Sequence, residues 1–271
     1  MSSFNIFKVS DVEGVPDYIV KSLDQKRNKT ALLIPVLNEG TRILLQLKQI
    51  SQLQLEVDVI VADGGSIDGL EAKIGERDLN VNTFLSKIGS GALSSQIRMG
   101  FHYCLSQKYE CVITMDGNNK DDPSGVIRIQ EALNSGMDFV QGSRFIRGGQ
   151  AKNTPVLRYL AIRLVHAPLT SLAAKFWYTD TTNGFRGHSI RLLKNPKIEI
   201  FREKFNTYEL LAYLPIRSRQ IGLKVCEVPV TRMYPLGVAA PTKIHGIGAQ
   251  LRLFFILMRA VLGRYNPQRN Q

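Results

Sequence analysis

The chain has 271 residues, 44% of them hydrophobic, and a formal net charge of +12. This length is enough for one large core with an appendage. Three cysteines without a CxxC spacing argue against a disulfide framework and favour a reduced compartment. The start of the chain has no basic segment followed by an apolar one, and no apolar run approaches the ~20 residues of a membrane span. We therefore expect a cytoplasmic protein without a signal peptide or a transmembrane helix.

The excess of positive charge could serve nucleic acid, anionic lipid or a phosphorylated substrate. Nothing in the sequence resembles a zinc finger, a basic zipper or an RNA-recognition motif, so we expect no nucleic-acid partner. Many of the basic residues fall in two stretches, 144–163 and 252–269, close to apolar segments. This placement favours an anionic membrane surface as the partner.

Short apolar strands alternate with helices along the chain, after a polar N-terminal arm over residues 1–30. The predicted strands are 31–36, 57–62, 80–85, 111–115 and 137–142, and the predicted helices are 39–52, 92–107 and 125–136. The helices are recognised by apolar residues at helical spacing. The alternation predicts an α/β fold, with a mostly parallel, Rossmann-like sheet and helices on both faces.

Polar loops follow the first four predicted strands. They are residues 38–39, residues 63–69, residues 89–91 and Asp116. In a parallel sheet these strand ends share one edge, which is where open α/β sheets bind ligands. We therefore expect the four loops to form one binding site.

Several common ligand motifs are absent from the sequence. The glycines at 89–91 lack the third glycine of a dinucleotide fingerprint, and no GK[ST] forms a phosphate-binding loop. Residues 115–123 do not form a calcium loop, because Lys120 and Asp121 stand where an acid and the turn glycine belong. The histidines make no HExxH motif, and no GxSxG is present to begin a hydrolase triad.

Six segments occur in the order found in the inverting GT-A glycosyltransferases. They are IPVLNEG (34–40), VADGGSIDG (61–69), MDGNNKDDP (115–123), VQGSRFIRGG (140–149), DTTNGFRG (180–187) and CEVPVTRMYP (226–235). The chain most resembles the branch of dolichol-phosphate mannose synthases and polyprenyl-phosphate glycosyltransferases. The resemblance implies a GT-A domain over residues 31–235, followed by an amphipathic C-terminal extension over residues 236–271.

The resemblance also implies a site for a nucleotide-sugar donor. Asp63 resembles the aspartate that accepts from the edge of uracil or guanine; the lesser alternative is that it caps a helix or turn. The other donor contacts that we expect are Pro35, Asn38, Glu39, Gly65, Ser66, Gly91, Lys120 and Arg186. Of these, Arg186 ends the segment 184–186, which resembles the lining of the family's sugar pocket. Asp68 is expected to be structural, in a turn before Gly69.

A second set of residues would serve the acceptor and the chemistry. Arg144 lies in a GSR segment that faces the acceptor phosphate in the family, and Arg232 stands where the family places a cation on the leaving diphosphate or the acceptor. Glu209 falls where related enzymes carry an acid facing the acceptor, or is an exposed helix residue. Asp180 is expected to be either a catalytic base or a helix cap.

The acidic segment departs from the family pattern, which mostly has D-x-D followed by a glutamine. Here Asp116, Asn118 and Lys120 occupy those positions. Hard oxygen ligands suit Mg²⁺ or Mn²⁺, and asparagine still offers a carbonyl oxygen. Asp116 and Asn118, with Asp121 or Asp122 as a further candidate ligand, are therefore expected to hold a weakened metal. Alternatively, Lys120 partly replaces the metal as a positive charge on the diphosphate, or the chain is an inactive relative.

Two apolar segments interrupted by arginine, 156–174 and 251–263, are candidates for membrane contact. Neither is long and apolar enough to span a bilayer, but each could lie in the interface with its arginines reaching the headgroups. The alternative is a helix packed on the protein's own core or a seam between two copies of the chain. We expect a peripheral protein at the cytoplasmic face of a membrane.

The function that these expectations favour is the transfer of a sugar, with inversion, from a nucleotide sugar to a polyprenyl phosphate. Transfer to a hydroxyl of a glycan or glycolipid in envelope polysaccharide synthesis is the alternative, and it would require a carboxylate base. A nucleotide-sugar-binding protein without activity is a third class. A nucleotidyltransferase is disfavoured, because IPVLNEGTR lacks the lysine of its glycine-rich loop.

Overall fold

The computed structural model describes residues 5–75, 79–235 and 246–268. The chain divides into two compact units. The first unit comprises Met1–Asn119 with Phe201–Thr207, and the second comprises Lys120–Ile200 with Tyr208–Gln271. In the described ranges, no helix is long and apolar enough to cross a membrane.

The first unit is a six-stranded sheet with helices. Its described elements are β1 (Ile6–Val9), β2 (Tyr18–Ser22), β3 (Thr30–Val36), α1 (Thr41–Gln52), β4 (Asp58–Asp63), α2 (Leu70–Gly75), β5 (Val81–Lys87), α3 (Leu93–Ser106) and β6 (Cys111–Thr114). The strand order is β1-β2-β5-β4-β3-β6, with β5, β4, β3 and β6 parallel to one another. Every residue of β3 and β4 is buried, as expected for parallel strands covered on both faces.

The N-terminal segment, predicted only as a polar arm, contributes two strands to this sheet. β2 pairs antiparallel with β5, and β1 pairs antiparallel with β2. Tyr18 and Val20 are buried, whereas Ile19 between them is exposed. The alternation of buried and exposed residues is typical of a strand. β2 was not predicted because its five residues lack the continuous apolar run of the central strands.

The second unit combines a smaller set of strands with most of the helices. Its described elements are α4 (Gly125–Asn134), β7 (Phe139–Ser143), β8 (Gln150–Lys152), α5 (Val156–Ala161), a π-helical turn (Ile162–His166), α6 (Ala167–Ala174), β9 (Arg186–Ser189), α7 (Ile190–Leu193), α8 (Glu209–Gln220), β10 (Val225–Pro229), β11 (Thr231–Met233) and α9 (Gly246–Val261). β7 is parallel to β10 and antiparallel to β9, and β8 and β11 form a separate parallel pair.

The predicted α/β class and the eight predicted elements are confirmed, with bounds that shift by at most two residues. The apolar segment 156–174 forms a helix with a π-helical turn in its middle. Pro168 lies in the first turn of α6 and has no amide hydrogen to donate back into the preceding turn, which explains the irregular hydrogen bonding there. Segment 236–245, the start of the expected C-terminal extension, lies outside the described residues.

Candidate active site

In the first unit, the loops after β3 and β4 are tied to each other by reciprocal hydrogen bonds. The amide of Asn38 donates to Oγ of Ser66 at 2.8 Å, and Oδ1 of Asn38 accepts from the amide of Ile67 at 2.8 Å. The amide of Gly40 donates to Asp68 at 2.9 Å. The two loops therefore form one surface at the carboxyl end of the parallel strands.

A buried glutamine that the sequence analysis did not single out joins the ends of the same two strands. Nε2 of Gln96 on α3 donates to the carbonyl of Val36 at 2.7 Å and to that of Ala62 at 3.2 Å. A Cβ atom on Gly64 would lie only 2.6 Å from this Nε2. Only glycine therefore leaves enough space for the side chain of Gln96 at this position. Gln96 falls on the apolar stripe of α3, and a polar residue at such a position is the signal that could have identified it.

The loop after β6 is held by a second buried glutamine, Gln46 of α1. Nε2 of Gln46 donates to the carbonyl of Asp116 at 2.9 Å, and Oε1 accepts from the amide of Asn119 at 2.7 Å. The amide of Gly117 donates to the carbonyl of Pro35 in β3 at 3.3 Å. These bonds fix the acidic loop beside the end of β3.

The loop after β5 reaches the same edge of the sheet. Nζ of Lys87 donates to the carbonyls of Gly89 at 2.5 Å and Ser90 at 3.2 Å. Burial lowers the pKa of Lys87, and the charge of Asp63, at the end of β4, opposes this shift. Gly91 has a φ of +104°, a value that favours glycine. The predicted convergence of the four loops is therefore confirmed within the first unit.

A cleft of about 390 Å³ opens beside the loop after β4. Its lining is Lys21, Asp63, Ser66, Gly69, Leu70, Glu71, Ala72 and Phe84. Nζ of Lys21 lies 3.3 Å from Oε1 of Glu71, which places an ion pair on one side of the cleft. The cleft thus combines apolar walls with hydrogen-bonding groups, as small-molecule sites commonly do.

Asp63 is engaged in its own turn. Its Oδ2 accepts from the amides of Gly65 at 3.0 Å and Ser66 at 2.9 Å, and its Oδ1 accepts from Oγ of Ser66 at 2.5 Å. These bonds match the alternative in which Asp63 caps a turn. An ionised carboxylate has about four acceptor sites, so these three bonds leave about one for a ligand in the cleft.

Asp68 and Glu39 contact the chain itself. Asp68 accepts from the amides of Gly40 and Leu70, as expected of a structural turn residue. Glu39 pairs with Arg42 on the first turn of α1, at 2.9 Å. Glu39 therefore belongs to the start of α1 as much as to the loop after β3.

Asn118 carries the clearest sign of a missing ligand. Its Oδ1 is buried and has no hydrogen-bond partner among the described residues. A metal ion would satisfy this oxygen, and Asp116 two residues earlier supplies a carboxylate. No group of three or more Asp, Glu, His or Cys side chains in the described part of the chain could hold a metal by itself. The residues fit Mg²⁺ or Mn²⁺ only if substrate oxygens or water complete the coordination, which is common for Mg²⁺.

In the second unit, Arg144 and Asp180 form a buried ion pair. Nε and Nη2 of Arg144 donate to the two carboxylate oxygens of Asp180, at 2.6 and 2.8 Å, and Nη2 also donates to Thr182 at 3.0 Å. Burial lowers the pKa of Arg144, but the hydrogen bonds and charge of Asp180 outweigh it and raise the pKa overall. The expectation that Asp180 is a helix cap is wrong, and as a base it would have no unoccupied acceptor site. Oδ2 accepts from Nε and the backbone amide of Arg144, and Oδ1 accepts from Nη2 of Arg144 and the amide of Thr182.

The loop that contains Asp180 is fixed by Glu227 of β10, which the sequence analysis left without a role. The carboxylate of Glu227 accepts from the amide of Thr179 at 2.9 Å, from its hydroxyl at 2.8 Å, and from the amide of Asp180 at 3.1 Å. Burial raises the pKa of Glu227, and these hydrogen bonds oppose that shift. Glu227 thus positions Asp180, which in turn orients Arg144.

A second buried ion pair joins Arg232 to Asp121. Nη1 of Arg232 donates to Oδ2 of Asp121 at 2.5 Å and to Oδ1 of Asn183 at 3.2 Å. Next to Asp121, Lys120 is 5% exposed, and its Nζ lies 5.0 Å from the centroid of the Tyr234 ring. The second unit therefore concentrates positive side chains around the sequence segments that the family resemblance assigned to the acceptor and the diphosphate.

Arg186 is not placed to bind a ligand, which corrects the prediction. Its guanidinium donates to the carbonyls of Asn183, Thr181 and Leu211, at 3.0, 2.8 and 2.8 Å. The Arg186 side chain is buried, and its hydrogen bonds connect the loop before β9 to α8. Glu209, the first residue of α8, is partly buried, and its charge, after burial, contributes to the raised pKa of Tyr265.

The segment 156–166 exposes apolar side chains and turns two arginines inward. Val156 is 74% exposed, Leu157 81% and Leu164 70%. Nη1 of Arg158 donates to the hydroxyl of Tyr234 at 3.0 Å, and Nη1 of Arg163 donates to the carbonyl of Thr179 at 3.3 Å. Both arginines, which are half-buried, thus use one guanidinium nitrogen within the protein, whereas the apolar face remains open.

Solved structures share this fold. Glucosyl-3-phosphoglycerate synthase from Mycobacterium tuberculosis, solved with Mn²⁺, uridine diphosphate and phosphoglyceric acid, superposes with a TM-score of 0.64 at 17% identity, over 89% of this chain and 80% of that one. The same enzyme solved with Mg²⁺ and uridine diphosphate superposes with a TM-score of 0.61. At this identity the likeness establishes the fold alone.

The chain belongs to glycosyl transferase family 2, whose model matches residues 31–200. Polyprenol monophosphomannose synthase of Mycolicibacterium smegmatis is 27% identical over 248 residues, which is 89% of this chain and 90% of the relative. Undecaprenyl-phosphate mannosyltransferase of Micrococcus luteus is 27% identical over 203 residues, 73% of this chain and 81% of the relative. The resemblance predicted from the six sequence segments is thereby confirmed.

Proposed function

We propose that this glycosyltransferase moves a sugar, with inversion, from a nucleotide-sugar donor to a polyprenyl phosphate. The observation that carries the proposal is the convergence of four loops at one sheet edge of the first unit, beside a cleft of about 390 Å³. The names of the two relatives, both of which transfer mannose to a polyprenyl phosphate or make such a product, support the acceptor class.

The first unit would hold the donor. The cleft lined by Asp63, Ser66 and Phe84 suits a nucleobase, which offers both hydrogen-bonding edges and flat apolar faces. Asp116 and Asn118 would hold Mg²⁺ or Mn²⁺, and that ion would neutralise charge on the departing diphosphate. The rigid hydrogen bonds of Gln46 would keep the acidic loop in one geometry, so that little reorganisation is needed when the donor binds.

The second unit would hold the acceptor phosphate through Arg144. Asp180 engages Nε and Nη2 of this arginine, whereas Nη1 has no hydrogen-bond partner among the described residues. A phosphate oxygen is already ionised and attacks without a general base. The occupation of both Asp180 oxygens thus favours a phosphate acceptor over a glycan hydroxyl, which would need a carboxylate to take its proton.

The exposed apolar side chains of α5 would place the protein at the surface of the membrane that contains the acceptor. Val156 and Leu157 lie on this helix, and the net charge of +12 adds attraction to anionic lipid. This surface and the named acceptors of the relatives support a peripheral position on a membrane, which we propose is at the cytoplasmic face.

A transfer assay tests the proposal. UDP-, GDP- and dTDP-sugars labelled in the sugar are incubated with the protein, Mn²⁺ and a polyprenyl phosphate, and the product is extracted into organic solvent. We expect one donor to give extractable label, and Arg144→Lys, which cannot keep the bidentate bond to Asp180, to reduce the rate at least tenfold. Label that appears only in a water-soluble glycan would support the hydroxyl acceptor, and binding without transfer would indicate an inactive relative.

A further inference from the structure

Asn183 is buried in the loop before β9, and its side-chain amide is held in one orientation. The residue is 1% exposed. Its Oδ1 accepts from Nη1 of Arg232 at 3.2 Å and from the amide of Phe185 at 3.2 Å. The flipped amide would set its NH₂ group against these two donors. Nδ2 therefore lies on the other side of the amide, where it has no hydrogen-bond partner among the described residues.

The backbone of Asn183 is fixed as well. Its carbonyl accepts from Nε2 of Gln141 at 3.1 Å and from Nε of Arg186 at 3.0 Å. These bonds, together with those of Oδ1, prevent the side chain from turning towards another partner. A buried donor without an acceptor is unfavourable, because folding removes it from water and returns no hydrogen bond. A bound acceptor atom would remove this penalty.

The two buried arginines of the second unit contact adjacent residues of this loop. Nη2 of Arg144 donates to Oγ1 of Thr182 at 3.0 Å, and the next residue, Asn183, accepts from Arg232. Burial and the bonds and charge of Asp180 dominate the pKa of Arg144, but the charge of Arg232 also lowers it. The two guanidinium groups therefore lie within electrostatic range of each other, with Asn183 beside one of them.

The charges around Asn183 favour an oxyanion as its ligand. Arg144 is paired with Asp180, and Arg232 is paired with Asp121. Because each cation has its own carboxylate, the site attracts an anion through directed N–H groups more than through net charge. Ionised phosphate oxygens only accept hydrogen bonds, and guanidinium and amide donors both suit them.

We infer that Asn183 is a binding residue for the phosphate of the polyprenyl acceptor, to which its Nδ2 donates a hydrogen bond. Nη1 of Arg144, which also has no hydrogen-bond partner in the described ranges, donates to the same phosphate group. The identity of the acceptor rests on the proposed function, whereas the presence of a phosphate oxygen at Nδ2 does not.

NMR of the ¹⁵N-labelled full chain tests this contact directly, through the side-chain amide signal of Asn183. A water-soluble, short-chain prenyl phosphate is added to one sample, and GDP or UDP with Mg²⁺ is added to others. We expect the prenyl phosphate to move the Nδ2 protons of Asn183 downfield, as a new hydrogen bond does. A shift with a nucleoside diphosphate alone would assign Asn183 to the donor and overturn the inference. No shift with any of them would leave a buried water molecule as its partner, and would also overturn it.

Two substitutions measure what the contact contributes to affinity. Asn183→Asp keeps an acceptor for Arg232 and Phe185 but replaces the donor, and Asn183→Leu removes the donor without adding charge. Asn134→Asp adds the same charge at an exposed position of α4 and is the matched control. We expect the Kd for the prenyl phosphate, measured by calorimetry, to rise about tenfold in both Asn183 variants and to stay unchanged in Asn134→Asp.

A higher Kd in Asn183→Asp alone would attribute the loss to charge repulsion, and normal affinity in both variants would show that Nδ2 does not contact the phosphate. Either result would overturn the inference. Circular dichroism shows whether each variant is folded, and the wild-type NMR shift decides the question if neither is. Sugar transfer is measured on the same preparations. Its absence from the wild type would refute the proposed function, while the NMR shift and the prenyl phosphate affinities would still decide the role of Asn183.

Discussion

The two units of this chain organise their polar residues by different physical means. In the first unit the ligand loops are held by neutral amide groups: Gln46 clamps the loop after β6, and Gln96 joins the ends of β3 and β4. In the second unit the polar cluster is built from buried charges, Arg144 with Asp180 and Arg232 with Asp121. The glutamine amides fix the backbone of the loops without burying a charge. The ion pairs instead keep arginines in place for an anionic ligand, and their formation requires that charged groups be removed from water.

The largest loss of stability is expected when a buried ion pair of the second unit is disrupted. Asp180→Asn removes a charge with little change in shape and leaves Arg144 buried without its counter-ion. We expect the free energy of unfolding, measured by urea denaturation, to fall by about 3–5 kcal/mol. Glu110→Gln is the control: it also breaks an ion pair, but Glu110 and Lys29 are exposed, so the loss should stay below about 1 kcal/mol. Equal losses would show that the buried pair has no special role.

Gln46→Leu removes the side-chain amide that holds the loop after β6 in the first unit. The substitution leaves the carbonyl of Asp116 and the amide of Asn119 without their partner, and we expect a loss of about 2–4 kcal/mol in stability. The KM for the nucleotide sugar should also rise, because the acidic loop loses its fixed geometry. Gln49→Leu, at an exposed position of the same helix, should change neither quantity. A Gln46 variant with a normal KM would remove this loop from the donor site.

The pH dependence of unfolding tests a buried titratable group of the second unit, His188. Burial, and then the charge of Arg186, lower the pKa of His188 to about 3. The unfolded state therefore binds the proton more readily, so the stabilising contribution is complete above the unfolded pKa of about 6.5 and declines as the pH falls towards 3. Between pH 7 and pH 5 this costs about 2 kcal/mol. His188→Gln should flatten the pH dependence of unfolding over this interval, and an unchanged slope would contradict the assignment.

The substitution with the smallest expected effect tests the metal site. Activity should disappear in EDTA and return with Mn²⁺, and Asn118→Asp should lower the Mn²⁺ concentration for half-maximal activity several-fold, because a carboxylate replaces a neutral oxygen. Asn119→Asp adds the same charge one residue later and should have little effect. Full activity in chelator would instead favour Lys120 as the charge that stabilises the diphosphate.

Sequence patterns predicted the parallel strands and the convergence of their loops, because strand order alone brings the ends at Val36, Asp63 and Thr114 to one edge. They did not predict β1 and β2, whose short alternation carries no apolar run. They also missed Gln46, Gln96 and Glu227. The apolar stripe of α3 could have marked Gln96 as buried, but the backbone groups that these three side chains bind are known only from the structure. The inward direction of Arg158 was likewise hidden, because its partner Tyr234 is 76 residues away.

The most direct test of the account is the binding of nucleoside diphosphates to the first unit's loops, measured by calorimetry on the full chain with Mn²⁺. GDP, UDP and dTDP are compared in the wild type, in Gly64→Ala, whose new Cβ would meet Gln96, and in Gly248→Ala, where the added atom meets open space. The account predicts that one nucleotide binds at a single site, that Gly64→Ala weakens it at least tenfold, and that Gly248→Ala leaves it unchanged. Equal affinity in all three proteins, or no binding of any nucleotide, would contradict the placement of the donor at this edge of the sheet.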